Sequence, residues 1–498
     1  MCFWVLLAFG LFTRLWVLLH NPAATRRLYI GSGMLFRQVI HEDLGCASYL
    51  VGDTGSGIAA VVDPQWDIDP YLDLARLHGV RIAHVLETHN HADHVSGHGR
   101  LAGAAGAAIH INALAGAEYE HEPFDDGWAL ELGPDTSIEA IHTPGHRPEH
   151  TSFLLCDDAH DGDLVAVLTG DSLFVGDVAR PDLAIEPREG AADIFRSLHE
   201  RLLALPDEVE VWPGHLGGSL CGSSGLDLKT SSTIGFERRH NRALGIADED
   251  DFVEDAVASI GTRPPNVEYI VGLNRGPLVE EIGSPARLSP RGFEAAIADG
   301  AMAVDSRTNE QFDEAHIPGA ISASAYDTGF ATKVAQVIPP DGEIVIVAAS
   351  DGNELDAAEL LAAVGLRVRG FLGGGMSAWR AEERPVRRIE AIDAAGLAAM
   401  ADGDDPPLVV DVRNAGEFES GHIPGSIHIP YAELAERAGE LPRDRTVATI
   451  CKAGKRSGLA ASVLQREGFE RIVHVASGGV PAWGALGRPL ETAETSAV

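Results

Sequence analysis

The stretch Thr88-His89-Asn90-His91-Ala92-Asp93-His94 gathers three histidines and one aspartate within six positions. It follows the apolar run Ile82-Ala83-His84-Val85-Leu86, which reads as a buried strand, so the four side chains fall in a loop at that strand's carboxyl end. Imidazole and carboxylate groups crowded in this way converge on a metal ion, and an ordinary surface loop has no use for three imidazoles. The loop therefore reads as a metal site.

Three positions downstream share the same setting. His146 stands in Thr143-Pro144-Gly145-His146 after Ile138-Glu139-Ala140-Ile141. Asp171 follows Leu164-Val165-Ala166-Val167-Leu168, and His215 follows Val209-Glu210-Val211. Each lies just past a short β-branched run and beside a glycine, as a strand-end loop residue does. Taken in this order, H-x-H-x-D-H and the three later positions resemble the metallo-β-lactamase family over about residues 34–275. The resemblance implies an αββα sandwich, an α/β fold.

Two chemistries remain open within that resemblance. A zinc thioesterase of the glyoxalase II kind would hold two zinc ions that share Asp171 and activate a bridging water. The persulfide dioxygenases imply one Fe(II) per chain on His89, His146 and Asp171, a triad that leaves coordination positions open. His91, Asp93, His94 and His215 would then be supporting residues or, in the two-metal case, ligands of the second ion. The segment from Gly170 to Leu183 is similar to the dioxygenase motif in which an arginine and an aspartate, here Arg180 and Asp182, follow the metal aspartate to bind substrate. Ala179 replaces the usual glycine and Arg147 a usual threonine, departures that bear on which thiol carries the substrate. An ion pair that merely stabilises the loop is the competing reading of Arg180 and Asp182.

The rest of the chain favours sulfur chemistry. Asp305-Ser306-Arg307 and His316-Ile317-Pro318-Gly319 recur as Asp411-Val412-Arg413 and His422-Ile423-Pro424-Gly425, both at an offset of 106. Gly374-Gly375-Met376-Ser377-Ala378-Trp379 recurs as Gly478-Gly479-Val480-Pro481-Ala482-Trp483. A repeat this long is a duplicated domain rather than a solenoid unit. Both copies resemble rhodanese (sulfurtransferase) domains, α/β folds with a short parallel sheet. In the second copy Thr446-Val447-Ala448-Thr449-Ile450 runs into the loop Cys451-Lys452-Ala453-Gly454-Lys455-Arg456, which opens a helix. Helix-terminal N–H groups and the cations Lys452, Lys455 and Arg456 favour a thiolate and an anion bound to it. Only two other lysines, Lys229 and Lys333, occur in the chain. In the first copy, Ala349 stands where Cys451 does and Glu354 where Arg456 does, so that copy is expected to be silent.

With 498 residues the chain accommodates three domains, expected at 34–275, 288–384 and 386–490. The five cysteines (Cys2, Cys46, Cys156, Cys221, Cys451) show no paired spacing, which fits a reducing, cytoplasmic setting; Cys221 reads as a small loop residue. A formal charge of −36 opposes nucleic acid and anionic membrane as partners and leaves room for a homo-oligomer. Residues 1–33 contain an apolar stretch that Arg14 interrupts; the expectation is a start placed too far upstream, with a membrane anchor as the alternative. The expected function is oxidation of a low-molecular-weight thiol persulfide by dioxygen to sulfite. Cys451 and Arg456 would then carry out sulfur transfer to sulfite, yielding thiosulfate. The rival readings are the zinc thioesterase and a sulfur-carrier scaffold with a vestigial metal site.

Overall fold

In the computed structural model, residues 33–157, 163–216, 229–261, 263–280, 283–350 and 352–492 are described. The expectations for the segment 1–33, Gly33 apart, and for Cys221 lie outside them. Two compact units divide the chain, one reaching Arg263 and taking in Val267–Glu281, the other spanning Ile282–Val498 with Pro264–Asn266.

The first unit is built from two six-stranded sheets. One runs in the order Met34–His41, Cys46–Asp53, Ile58–Val62, Arg81–Leu86, Ala108–Asn112, Glu122–Phe124. The other runs Ser232–Thr233, Glu210–Pro213, Asp163–Gly170, Thr151–Asp157, Thr136–His142, Ala129–Gly133. Alternation along the strands sends Phe36, Tyr49, Leu86, Phe153, Leu168 and Trp212 into one buried layer between the sheets. The opposite faces are equally apolar because helices cover them. Leu50, Val61 and Val85 pack under Tyr71 and Leu74 of helix Asp69–His78. Val167 and Val211 pack under Ile194 of helix Pro187–Arg196. Tyr71, Leu74 and Ala75 fall at the three- and four-residue spacing that makes one helical face, and Gly79 ends the helix at φ +68. This is the αββα sandwich.

The second unit contains two parallel five-stranded sheets of equivalent order. They are Ala286–Leu288, Arg367–Leu372, Glu343–Val347, Met302–Asp305, Ile321–Ser322, and then Glu390–Asp393, Ile472–Ser477, Val447–Ile450, Leu408–Asp411, Ile427–His428. The recurring Asp-x-Arg explains itself here. Arg307 and Arg413 are buried and grip Asp305 and Asp411 with two guanidinium nitrogens, then donate onward to the Ala315 and Gly421 carbonyls. Each copy thereby pins the strand that ends in Asp305 or Asp411 to the backbone at the end of the following helix. No described helix is long and apolar enough to cross a membrane.

Candidate metal centre and sulfur loop

The metal-motif loop begins two residues past strand Arg81–Leu86, and His146, Asp171 and His215 each stand within four residues past a strand. All are buried. One nitrogen each of His89 and His146 and one oxygen of Asp171 lie within 4.8 Å of one another. His89 Nε2 and His146 Nε2 sit 3.9 and 3.5 Å from Asp171 Oδ2. These three atoms are buried and have no hydrogen-bond partner. Buried polar atoms left open in this way, converging on one point, fit a cation.

The surrounding hydrogen bonds decide which atom of each ligand faces inward. Thr88 Oγ1 donates to Asp63 Oδ2 at 2.9 Å, so it accepts from His89 Nδ1 at 2.9 Å and leaves Nε2 with its lone pair. His146 Nδ1 donates to the Arg180 carbonyl at 3.1 Å, with the same result. Burial, with His91 and His146 alongside, holds His89 well below the ordinary imidazole range, and burial lowers His146 also. Both rings are thus neutral, as ligation requires. Burial pushes the Asp171 carboxyl up, but His215 outweighs it and brings it to about 2. Asp171 Oδ1 is engaged by His215 Nδ1 at 2.6 Å, and the Asp171 N–H donates to His150 Nε2.

His91 is turned toward a different pair. Its Nε2 lies 3.2 Å from Asp63 and 3.4 Å from Glu87, and although burial lowers it, these carboxylates hold it well above the usual range. Asp93, His94 and His215 gather with a residue to which sequence reasoning assigned no role, Cys46. The four offer ligand atoms within 4.8 Å of one another, with Cys46 Sγ 3.2 Å from His215 Nε2. Cys46 opens a strand over 40 residues from the motif, and the backbone bonds from Ala47 N–H to the Gly214 carbonyl and from Leu216 N–H to the Gly45 carbonyl set it beside His215. Asn274 was also missed. Its amide donates to the His91 and His94 carbonyls and fixes the loop's backbone.

Arg180 and Asp182 form a two-bond ion pair at 2.7 and 2.8 Å, so the guanidinium is engaged within its own loop. What Arg180 gives the centre is its carbonyl. Arg147 pairs with Glu149 at 2.7 Å. Helix Pro187–Arg196 lies directly on both loops. A Cβ at Gly145, which has φ +135, would meet Ile194 N at 2.4 Å, and one at Gly190 would meet the Pro181 carbonyl at 2.2 Å.

In the second unit Cys451 is buried at the end of strand Val447–Ile450. Gly454 N–H donates to its Sγ at 3.2 Å, and Ser457 Oγ is 3.3 Å away, at the start of helix Lys455–Arg466. The Gly454 N–H and the helix terminus are placed to favour an anion held at this sulfur. The expected cations are partly spoken for. Arg456 makes two bonds to Glu417, at 2.5 and 2.8 Å, and Lys455 pairs with Asp327 at 2.8 Å. Lys452 is exposed and has no carboxylate partner among the described residues. The first copy differs beyond lacking a thiol. Its equivalent N–H, on Gly352, donates to Glu354 Oε2 at 2.8 Å, so the chain's own carboxylate fills the cradle.

The metallo-beta-lactamase superfamily model matches residues 41–215, and the rhodanese-like domain model matches 289–382 and 393–486. The chain belongs to the metallo-β-lactamase superfamily and carries two rhodanese-like domains in tandem. It is 30% identical over 258 residues to the mitochondrial persulfide dioxygenase of Bos taurus, covering 50% of this chain and 93% of that protein. To a probable metallo-hydrolase of Burkholderia pseudomallei it is 31% identical, over 47% of this chain and 92% of the other. A sulfurtransferase of Allochromatium vinosum is 31% identical over 21% of this chain and 98% of its own length. Among solved structures, a metallo-beta-lactamase from Staphylococcus aureus superposes with a TM-score of 0.61 at 27% identity, covering 69% of this chain and 99% of that one.

Proposed function

We propose that this chain is a mononuclear iron persulfide dioxygenase coupled to a sulfurtransferase. The observation that carries the reading is the division of Asp171. One oxygen is open toward His89 and His146, while the other is engaged by His215, so the carboxylate presents a single open oxygen to the metal held by that triad. Fe(II), when bound there, supplies open positions for a persulfide and dioxygen. The overall change is RSSH + O2 + H2O giving RSH, sulfite and two protons. The chain's residues keep both imidazoles in the ligating tautomer and exclude water by burial. The bovine relative's name points the same way.

At the second unit, Cys451 carries a sulfane sulfur as a persulfide anion, held by the Gly454 N–H and the helix terminus. Sulfite attacks that outer sulfur, the S–S bond to Cys451 breaks, and thiosulfate leaves with Cys451 as thiolate. Lys452 and Arg456 favour the anions.

The test is metal analysis of protein purified without oxygen, together with persulfide-dependent oxygen uptake. One iron per chain and uptake abolished by His89→Ala are expected. Iron-loaded protein that consumes no oxygen but cleaves thioesters would sink the reading. A two-zinc hydrolase is the second reading, favoured by the four donors of Cys46, Asp93, His94 and His215 and by the metallo-hydrolase relative; it requires two zinc ions per chain.

A further inference from the structure

The silent copy reaches the sulfur loop of the active one. Asp313, in helix Asn309–Glu314 of the first copy, lies 2.7 Å from Nδ1 of His474, a buried residue of strand Ile472–Ser477 in the second. On the other side of the ring, Nε2 lies 2.8 Å from the carbonyl oxygen of Gly454. Asn309 Nδ2 of the first copy reaches the same carbonyl at 3.5 Å. Gly454 is the residue whose N–H supports Cys451 Sγ. A continuous line therefore runs from a carboxylate of one copy, through an imidazole, to the peptide that holds the sulfur of the other.

The chemistry of the ring sharpens this. A carboxylate and a carbonyl are both acceptors, so both contacts are satisfied only when both ring nitrogens carry hydrogen. The ring then bears a positive charge inside a buried site, and Asp313 is the carboxylate that balances it. Packing leaves the ring little alternative. A Cβ at Gly458 would lie 2.9 Å from His474 Cε1 and 2.9 Å from Asn309 Nδ2, and one at Gly454 would overlap the Ala476 carbonyl. The arrangement is not inherited from the duplication itself. Four residues before the recurring Gly-Gly, where the second copy has His474, the first has Gly370.

We propose that Asp313 is a positioning residue for sulfur transfer at Cys451, acting through His474 to hold Gly454 so that its N–H points at the sulfur. The silent copy is thus part of the active copy's machinery, which accounts for its presence without a nucleophile. The inference rests on the reading of Cys451 as sulfur carrier.

The experiment compares sulfur transfer from thiosulfate to cyanide in full-length wild type, Asp313→Asn, His474→Gln, the double variant and Gln465→Ala. Asn is isosteric with Asp and lacks the charge that supports the doubly protonated ring. Asp313→Asn should lower kcat about tenfold, the effect of one misplaced hydrogen bond, with KM for thiosulfate within about twofold. Alkylation of Cys451 by iodoacetamide should slow in parallel. Gln donates to the Gly454 carbonyl without needing a carboxylate, so in the His474→Gln background Asp313→Asn should cost nothing further. Gln465→Ala removes another contact between the copies, the one to His316 Nε2 at 2.7 Å, away from the loop; it should leave kcat unchanged. Wild-type kcat in Asp313→Asn, additivity in the double variant, or an equal loss in Gln465→Ala overturns the inference. Absence of transfer in the wild type itself is a separate result, which overturns the role given to Cys451.

Discussion

Replacing Thr88 by Val tests the metal centre without touching a ligand. The Thr88 hydroxyl accepts from His89 Nδ1 and passes its own hydrogen to Asp63 Oδ2, both at 2.9 Å. Valine keeps the shape and deletes the hydroxyl. In the metal-free protein His89 escapes by moving its hydrogen to Nε2. In the metal-bound protein Nε2 is committed, so Nδ1–H must stay, buried and unpartnered. The cost of about 1–3 kcal/mol for such a group therefore falls on the bound state alone. That corresponds to about a 5- to 150-fold loss of metal affinity, which brackets the roughly 10- to 100-fold typical when a ligand's orienting partner is removed. Asp63 retains the Thr88 N–H at 2.8 Å and His91 at 3.2 Å, so the loop stays anchored. The assay is anaerobic competition for Fe(II) against a chromophoric chelator, with the unfolding midpoint of metal-free protein measured beside it. An unchanged iron affinity would refute the tautomer argument.

In the first rhodanese-like copy, Ala349→Cys should confer no sulfur transfer, because Glu354 already occupies the Gly352 N–H; turnover by that variant in a Cys451→Ser background would show the cradle is not blocked. Asp327→Asn releases Lys455 toward the sulfur loop, and since exposed pairs are worth about 0.2–1 kcal/mol, KM for thiosulfate should fall by up to about fivefold; a KM that rises counts against the charge argument. Burial and the facing His84, 3.0 Å away, hold His110 down to about 4, so the folded chain binds its proton less readily than the unfolded chain does at 6.5. The stability this pair permits is complete above about 6.5 and is lost as pH falls toward about 4, so His110→Asn should lose less unfolding midpoint between pH 7 and pH 5 than wild type. Equal losses would remove His110 from the acid response.

The candidates His89, His146, Asp171 and His215 were visible because each is announced locally, by a β-branched run and an adjacent glycine at a strand end. The tandem copies were visible because a duplication repeats side chains in order. Cys46 was not, since nothing in its own neighbourhood indicates that sheet pairing will lay Ala47 against Gly214. For Arg180 a sequence displays the side chain, whereas the contact with His146 is made by its carbonyl. The cation count around Cys451 likewise overstated the field. Glu417 and Asp327 stand far away in the chain, and only folding brings them onto Arg456 and Lys455. Long-range partners of this kind leave no periodic trace.

Close packing at Gly145, and at Gly190 of helix Pro187–Arg196 where it meets the Pro181 carbonyl, has a consequence for how the centre tolerates change. Neither residue carries a donor atom, yet either methyl group would drive a wedge between the helix and the segments that present His146 and the Arg180 carbonyl. Geometry at the metal is therefore guarded by positions with no chemistry of their own. A mutational scan scored by iron retention would rank these two glycines beside the ligands, and a search for functional residues by reactive side chain alone would pass over them.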